Sequence, residues 1–294
     1  MKPTVLTSVI LSASGATAAA VRPVSGTESR IPTSYESAVL GRRILALTPL
    51  GTLSTVFPED RPGGSDGSDG VEADEHRPSG LGGMPYGLME YIADCEEDDL
   101  GNPTILAVTI GTTFKNIAAG SNVSLSVQWT PPYPPAKRIK SEPAPGRGWL
   151  SYLGLSSHGH DDQDHHQHHH HHHHHRTPLP YSAANLPRFS LIGHTEAIEG
   201  GDNREGEVGA RLAECYVKTH PDARYWLPGS RVHESHFVRL VVEQIYWVGG
   251  FGDRAFIGWI PVEEWRNVTR EEWQNARLPG EKKGWKEWSV QGDL

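Results

Sequence analysis

The stretch Val123–Trp129 reads VSLSVQW. It alternates strictly, with Val123, Leu125, Val127 and Trp129 on one face and Ser124, Ser126 and Gln128 on the other. A period of two marks a strand with one face on a core and one on water, the usual state of an antiparallel sheet. Segments of the same kind lie on both sides of it. Gly51–Phe57 (GTLSTVF), Met84–Ala93, Thr104–Ile110 (TILAVTI), Phe189–Ile198 (FSLIGHTEAI), Phe237–Val248 (FVRLVVEQIYWV) and Ala255–Ile260 all read as strands. Helices are fewer. One is predicted from Ser34, with Ala38, Val39, Ile44 and Leu45 on one face and Pro49 beyond its end. With Ser34 as the cap, Ser37 stands where a capping box needs Glu, so the box reads as incomplete. A second helix is predicted over Glu207–His220, with Val208, Leu212, Cys215 and Tyr216 on one face and Pro221 as the stop. The expected architecture is mainly β, a mostly antiparallel barrel with a few helices.

Composition sets the frame. The chain has 294 residues, with 27 Lys+Arg against 36 Asp+Glu and a formal net charge of -9. That balance argues against nucleic acid as the main partner, because phosphate binding needs clustered positive charge. Hydrophobic residues are only 36% of the chain, with 32 Gly and 22 Pro, so part of it is expected not to pack. Two stretches fit that part. Pro58–Gly80 is Gly, Asp, Ser and Pro with almost nothing apolar, and Pro131–Ala184 holds a Pro-rich start and a His tract. They read as disordered loops within one domain spanning 34–275, followed by a tail over 276–294. Met1–Ala20 reads as a signal peptide: Lys2, a short apolar stretch from Val5 to Leu11, then the small-residue triplets Ala16-Thr17-Ala18 and Ala18-Ala19-Ala20. No apolar run reaches the roughly 18–20 residues that span a bilayer. Nothing like a Lys-Asp-Glu-Leu tail closes the chain. Secretion is the expected address, with the vacuole or another secretory compartment also open.

Two tripeptides, Asn122-Val123-Ser124 and Asn267-Val268-Thr269, are N-glycosylation sequons, which suits an exported chain. The two cysteines, Cys95 and Cys215, exclude a disulfide-dense scaffold and a four-Cys zinc site. They can pair once in an oxidising compartment or sit free, and the distance between them decides which. The His tract from His158 to His175 holds twelve of the 17 His. Dense imidazole binds transition metals, but a homopolymer lacks fixed geometry, so the tract reads as low complexity. His233 and His236 have no evident third ligand and read as part of a polar loop. Gly250-Phe251-Gly252-Asp253-Arg254-Ala255 matches a dinucleotide pattern, but a strand follows it where a helix is needed, so it reads as a glycine hairpin.

The order of several local signatures is more specific than any one of them. GTLSTVF leads to Gly83-Met84-Pro85-Tyr86, then to the turn Asp99-Leu100-Gly101-Asn102-Pro103, Lys115-Asn116-Ile117 and VSLSVQW. After these come His220-Pro221, Ile245-Tyr246-Trp247-Val248, Gly249-Gly250-Phe251-Gly252 and Pro261-Val262-Glu263-Glu264-Trp265. This order resembles the CREG-like secreted glycoproteins, within the pyridoxamine 5'-phosphate oxidase-like superfamily. The resemblance implies a six-stranded antiparallel split β-barrel and a homodimer. It also implies a fold whose flavin-binding relatives hold FMN at the dimer interface, while CREG-like members generally do not. FMN carries a dianionic phosphate, which needs Arg, Lys, hydroxyls or free N–H groups aimed at it. Where flavin-binding relatives have an Arg-x-x-Leu-Lys-like strand, this chain has Pro85–Tyr91 with no basic residue. Where they have a Ser-Arg-Lys-like loop, it has Gly111–Lys115, so Thr112, Thr113 and Lys115 are the residues that would hold the phosphate. The acidic run Glu96–Asp99 would repel it if folded close by. No cofactor is therefore expected, and the function expected is non-catalytic binding of a protein or small ligand. The alternative is an FMN-dependent oxidoreductase of the same fold.

Overall fold

The computed structural model describes residues 30–59, 77–136, 183–231 and 233–286. The signal-like start, the His tract and most of both predicted loops lie outside the described residues. Chain order is α1 (Ser34–Leu47), β1 (Leu50–Val56), β2 (Pro85–Ala93), β3 (Thr104–Val108), α2 (Thr112–Ala118) and β4 (Val123–Gln128). Then follow β5 (Arg188–Ala197), α3 (Glu207–Thr219), β6 (Ser235–Val248), β7 (Ile257–Ile260), α4 (Val262–Arg266) and α5 (Arg270–Asn275). Short 3₁₀ turns at Ala183–Asn185 and Pro221–Tyr225 precede β5 and follow α3.

Strand order is β3-β2-β1-β4-β5-β6-β7, and β3 also pairs with β6. That extra pairing closes β1 to β6 into an antiparallel ring of six, which removes most of the sheet edge that would otherwise template aggregation. β7 stands outside the ring. It shares one edge of β6 with β3: β3 takes Ser235–Arg239 and β7 takes Ile245–Val248. Between them is a split where β6 has no strand beside it. The turn before β3 fills it. Leu240 N donates to Pro103 O at 3.0 Å and Val242 N to the buried Asn102 side chain at 3.0 Å, while Arg266 donates to Val242 O at 2.8 Å. Buried backbone groups need such partners, and here one backbone carbonyl and two side chains supply them. Gly101 in this turn has φ 77°, and a Cβ there would stand 2.5 Å from Trp265 Nε1 and 2.6 Å from Arg42 Nε. Only glycine fits.

The barrel interior follows from alternation. Leu53, Ile92, Ile105, Leu125, Leu191, Leu240, Val242 and Ile245 are fully buried inside it. α1 packs on the same core with Trp247, Trp265 and Trp273, alongside α4 and α5. The cap of α1 is Thr33, one residue earlier than the sequence suggests, and its capping box with Glu36 is complete. A second box joins Thr269 to Glu272 at the start of α5. Arg42 of α1 is fully buried and bonds Trp265 O at 3.1 Å and the Asp99 carboxylate at 2.6 Å, so it ties helix, turn and C-terminal segment together.

A second apolar cluster lies on the outside of the ring. There α3 and the turn after it cover Ala93, Leu106 and Phe237 with Leu212, Tyr216 and Leu227. The Cys95–Cys215 disulfide staples this layer to the end of β2, with 5.7 Å between the Cα atoms. β6 serves both regions by alternation, with Phe237 outward and Val238 inward, and farther along it carries a bulge. Ile192 pairs with Gln244 but Gly193 with Val242, so Glu243 has no partner in the register. A Cβ on Gly193 would stand 1.9 Å from Val241 O, so the bulge requires glycine opposite it.

Candidate functional site

The positions that would grip a flavin phosphate lie on β2 and α2. Gly111 N donates to Val108 O at 2.9 Å and turns the chain out of β3, and Lys115 N to Gly111 O at 3.0 Å continues it as a helix. Thr112, Thr113 and Lys115 therefore sit on a helix of seven residues, just beyond the Thr104–Ile110 strand that the sequence suggests. Two threonines in a row, with their stiff β-branched side chains, hid the helix.

The helix uses its polar side chains to attach itself to the barrel. Thr113 is buried and its Oγ1 donates to Glu90 Oε1 at 3.1 Å. Asn116 is buried too and donates to Thr55 Oγ1 at 3.0 Å. Glu90 lies within the Pro85–Tyr91 stretch that the resemblance sets against the basic strand of flavin-binding relatives. Burial raises its carboxyl above the ordinary value, and the Thr113 hydroxyl partly offsets this. A phosphate arriving here meets a carboxylate and one lysine. Of the three residues expected to hold it, Thr113 already has its hydroxyl committed, and Thr112 and Lys115 are half-buried on the helix. The residues present do not fit the phosphate end of FMN.

Three of the four carboxylates of the acidic run are ion-paired with arginines. Glu96 bonds Arg239 of β6 at 2.8 Å, Glu97 bonds Arg211 of α3 at 3.0 Å and Asp99 bonds Arg42 of α1 at 2.6 Å. Those partners lie on β6, α3 and α1, and the carboxylate bonded to α2 is Glu90. Even so, burial outweighs the pull of Arg239 and pushes Glu96 up to about 7, helped by Asp98, Asp94 and Glu196.

His233 and His236 border a cavity of about 720 Å³ at the start of β6, together with Asp202, Glu199 and Arg231. Among the described residues, no group of three or more His, Cys, Asp or Glu side chains could hold a metal. The Gly250–Ala255 stretch is a turn that feeds β7. Both sequon asparagines are exposed: Asn122 precedes β4 and Asn267 caps α4. No helix among the described residues is long and apolar enough to cross a membrane.

A six-stranded antiparallel ring, opened at one edge and sealed by a turn, defines a split β-barrel protein. The chain belongs to the CREG β-barrel family, whose model matches residues 32–267. No curated protein matches it in sequence. Among solved structures it is similar to a heme binding protein from Mycobacterium smegmatis, at 17% identity and TM-score 0.43, covering 80% of this chain and 60% of that one. It is also similar to the heme storage protein from Vibrio cholerae, at 11% identity and TM-score 0.37, covering 70% of this chain and 89% of that one. A FAD-binding protein from Mesorhizobium loti matches at 13% identity and TM-score 0.30, covering 69% of this chain and 87% of that one. The chain thus spans 60% of the length of the first of these.

Proposed function

We propose that this is a secreted, N-glycosylated, non-catalytic split-barrel protein that acts by binding a protein or small ligand. The observation that carries the reading is the Thr113–Glu90 bond of 3.1 Å, which puts a half-buried carboxylate where a flavin phosphate needs cations. Losing two or three charge-assisted bonds at about 1.5–3 kcal/mol each separates tight from negligible binding. The Cys95–Cys215 disulfide supports export, since such bonds persist in oxidising compartments. The exposure of Asn122 and Asn267 supports glycosylation. Exposed Met84 and Leu88, at 51% and 53%, support a homodimer formed around the β2 end of the barrel.

The test is the visible spectrum of the secreted protein before and after FMN is added. The reading expects a colourless protein that retains no FMN after gel filtration. A stoichiometric flavin spectrum overturns it in favour of an FMN-dependent oxidoreductase. Glycosidase treatment should raise gel mobility, and no change would count against both sequons and export.

A further inference from the structure

The split of the barrel and the bulge of β6 fall on the same few residues. On one edge of β6, pairing with β3 stops at Arg239 and pairing with β7 begins at Ile245. Residues 240–244 lean there on the turn at Asn102 and Pro103 and on Arg266. On the other edge the ladder with β5 is interrupted, because Glu243 has no partner in the register. A stretch with an incomplete ladder on both edges is a seam, where local opening costs less than in the rest of the strand.

Glu243 reaches across this seam with its side chain. His194 of β5 lies between two carboxylates: its Nδ1 is 3.0 Å from Glu243 Oε1 and its Nε2 is 3.1 Å from Glu196 Oε1. An ionised carboxylate only accepts hydrogen bonds, and a neutral imidazole donates from one nitrogen alone. Both bonds form together only when the ring is an imidazolium with a proton on each nitrogen. In the neutral ring one lone pair faces a carboxylate, and that contact parts. The hydrogen bond to Glu196 raises the imidazole above its ordinary 6.5, slight burial opposes this, and Glu243 adds to the rise. Beyond Glu196, Arg239 of β6 is held by Glu96 at 2.8 Å, and β4 brings uncharged Val123 opposite Gly193. We propose that His194, Glu196 and Glu243 form a proton-operated clasp that fastens β5 across the seam of β6, closed in acid and open at higher pH. A group raised on folding is fully protonated below its ordinary value, so the clasp is complete below about 6.5 and is lost as pH climbs through the raised value. All three side chains are half exposed, so the ring exchanges protons with solvent while the barrel stays folded.

The clasp is independent of the binding reading above, and FMN uptake would leave it standing. Two measurements on the full chain test it. Nitrogen NMR of the imidazoles, assigned through His194→Gln, should show His194 protonated on both nitrogens at about pH 5.5, with a midpoint that falls in Glu243→Gln. Hydrogen exchange read by mass spectrometry, corrected for the chemical pH dependence of the amides, should be about two- to fivefold slower over residues 240–244 at about pH 5.5 than at about pH 8, the size expected of an exposed ion pair. Glu243→Gln, at an exposed position, should remove that difference. Glu96→Gln neutralises the other raised acid of this face and should leave it in place. Seam exchange that does not respond to pH overturns the proposal, as does an undiminished response in Glu243→Gln. So does loss of the response in Glu96→Gln, or a His194 ring that is neutral at about pH 5.5.

Discussion

The outside of the barrel has two halves, and they are built on opposite terms. Over β2, β3 and the first part of β6, α3 and its 3₁₀ turn bury Leu106, Phe237, Leu212 and Tyr216 under a disulfide. Over β1, β4, β5 and the last part of β6, no element of the described chain covers the outward hydroxyls of Thr52, Ser126 and Ser190. The covered half gains stability from burial and cross-linking. The bare half gains little from its outward side chains, so they can change for binding without loss of the fold. A sheet that faces water normally alternates apolar and polar, and the bare half does so. The covered half departs from that rule because it carries a second layer.

Breaking the staple should have the largest effect. The disulfide joins positions 120 residues apart, and closing a loop of that length is worth about 4–5 kcal/mol on a chain-entropy account. Cys95→Ser with Cys215→Ser should lower the urea midpoint by a corresponding amount, and an unchanged midpoint would show that the layer does not need its cross-link. Next comes Tyr216→Phe. The Tyr216 hydroxyl donates to Tyr91 O at 2.9 Å and accepts from Leu106 N at 3.2 Å, so its loss strands buried backbone groups at about 2 kcal/mol. A cost below about 0.5 kcal/mol by chemical denaturation would place this bond outside the stabilising layer.

The third prediction concerns pH. Burial raises Glu96 to about 7, above its ordinary 4.5, and raises Asp94 and Glu90 as well. A carboxylic acid with a raised value in the folded protein binds its proton more tightly there than when unfolded. Its stability contribution is therefore complete below about 4.5 and is lost as pH rises through about 7. His194, raised by Glu196 and Glu243, acts in the same sense. Glu272 is lowered and acts in the opposite one. The melting temperature should rise as pH falls from 8 to about 5.5. Glu96→Gln, which imitates the protonated form, should flatten that rise, and a slope identical to the native one would remove Glu96 as its source. The smallest effect belongs to the bare half. Ser126→Ala and Thr52→Val should each change stability by no more than about 0.5 kcal/mol. A larger loss in either would mean that this surface also carries the fold.

Much of the architecture was legible because burial in a barrel writes itself into the chain with a period of two. VSLSVQW became β4 with one end residue trimmed, and FSLIGHTEAI became β5 shifted by one. The elements that escaped lack such a period. α2 has seven residues and opens on two threonines. The capping boxes at Thr33 and Thr269 were visible as Thr-x-x-Glu, but the first was displaced by one residue in the reading. The flavin question was only half legible. The missing arginines could be read off directly, but the carboxylate that opposes a phosphate could not. The sequence points to Glu96–Asp99, of whose four carboxylates Glu96, Glu97 and Asp99 are matched by arginines from three other elements, and not to Glu90, whose position beside Thr113 appears only in three dimensions. The disulfide was undecidable from two cysteines 120 positions apart.

The unpaired Glu243 on β6 has a consequence for how such a molecule can change over time. Before it, even-numbered residues (Val238, Leu240, Val242) point to the barrel core, and after it odd-numbered ones (Ile245, Trp247) do. Remove that single residue and the strand alternates without a break, Val242 inward, Gln244 outward and Ile245 inward, so every core side chain keeps its place and only the bulge with its added twist is lost. This strand can therefore lose one residue here without turning either half inside out.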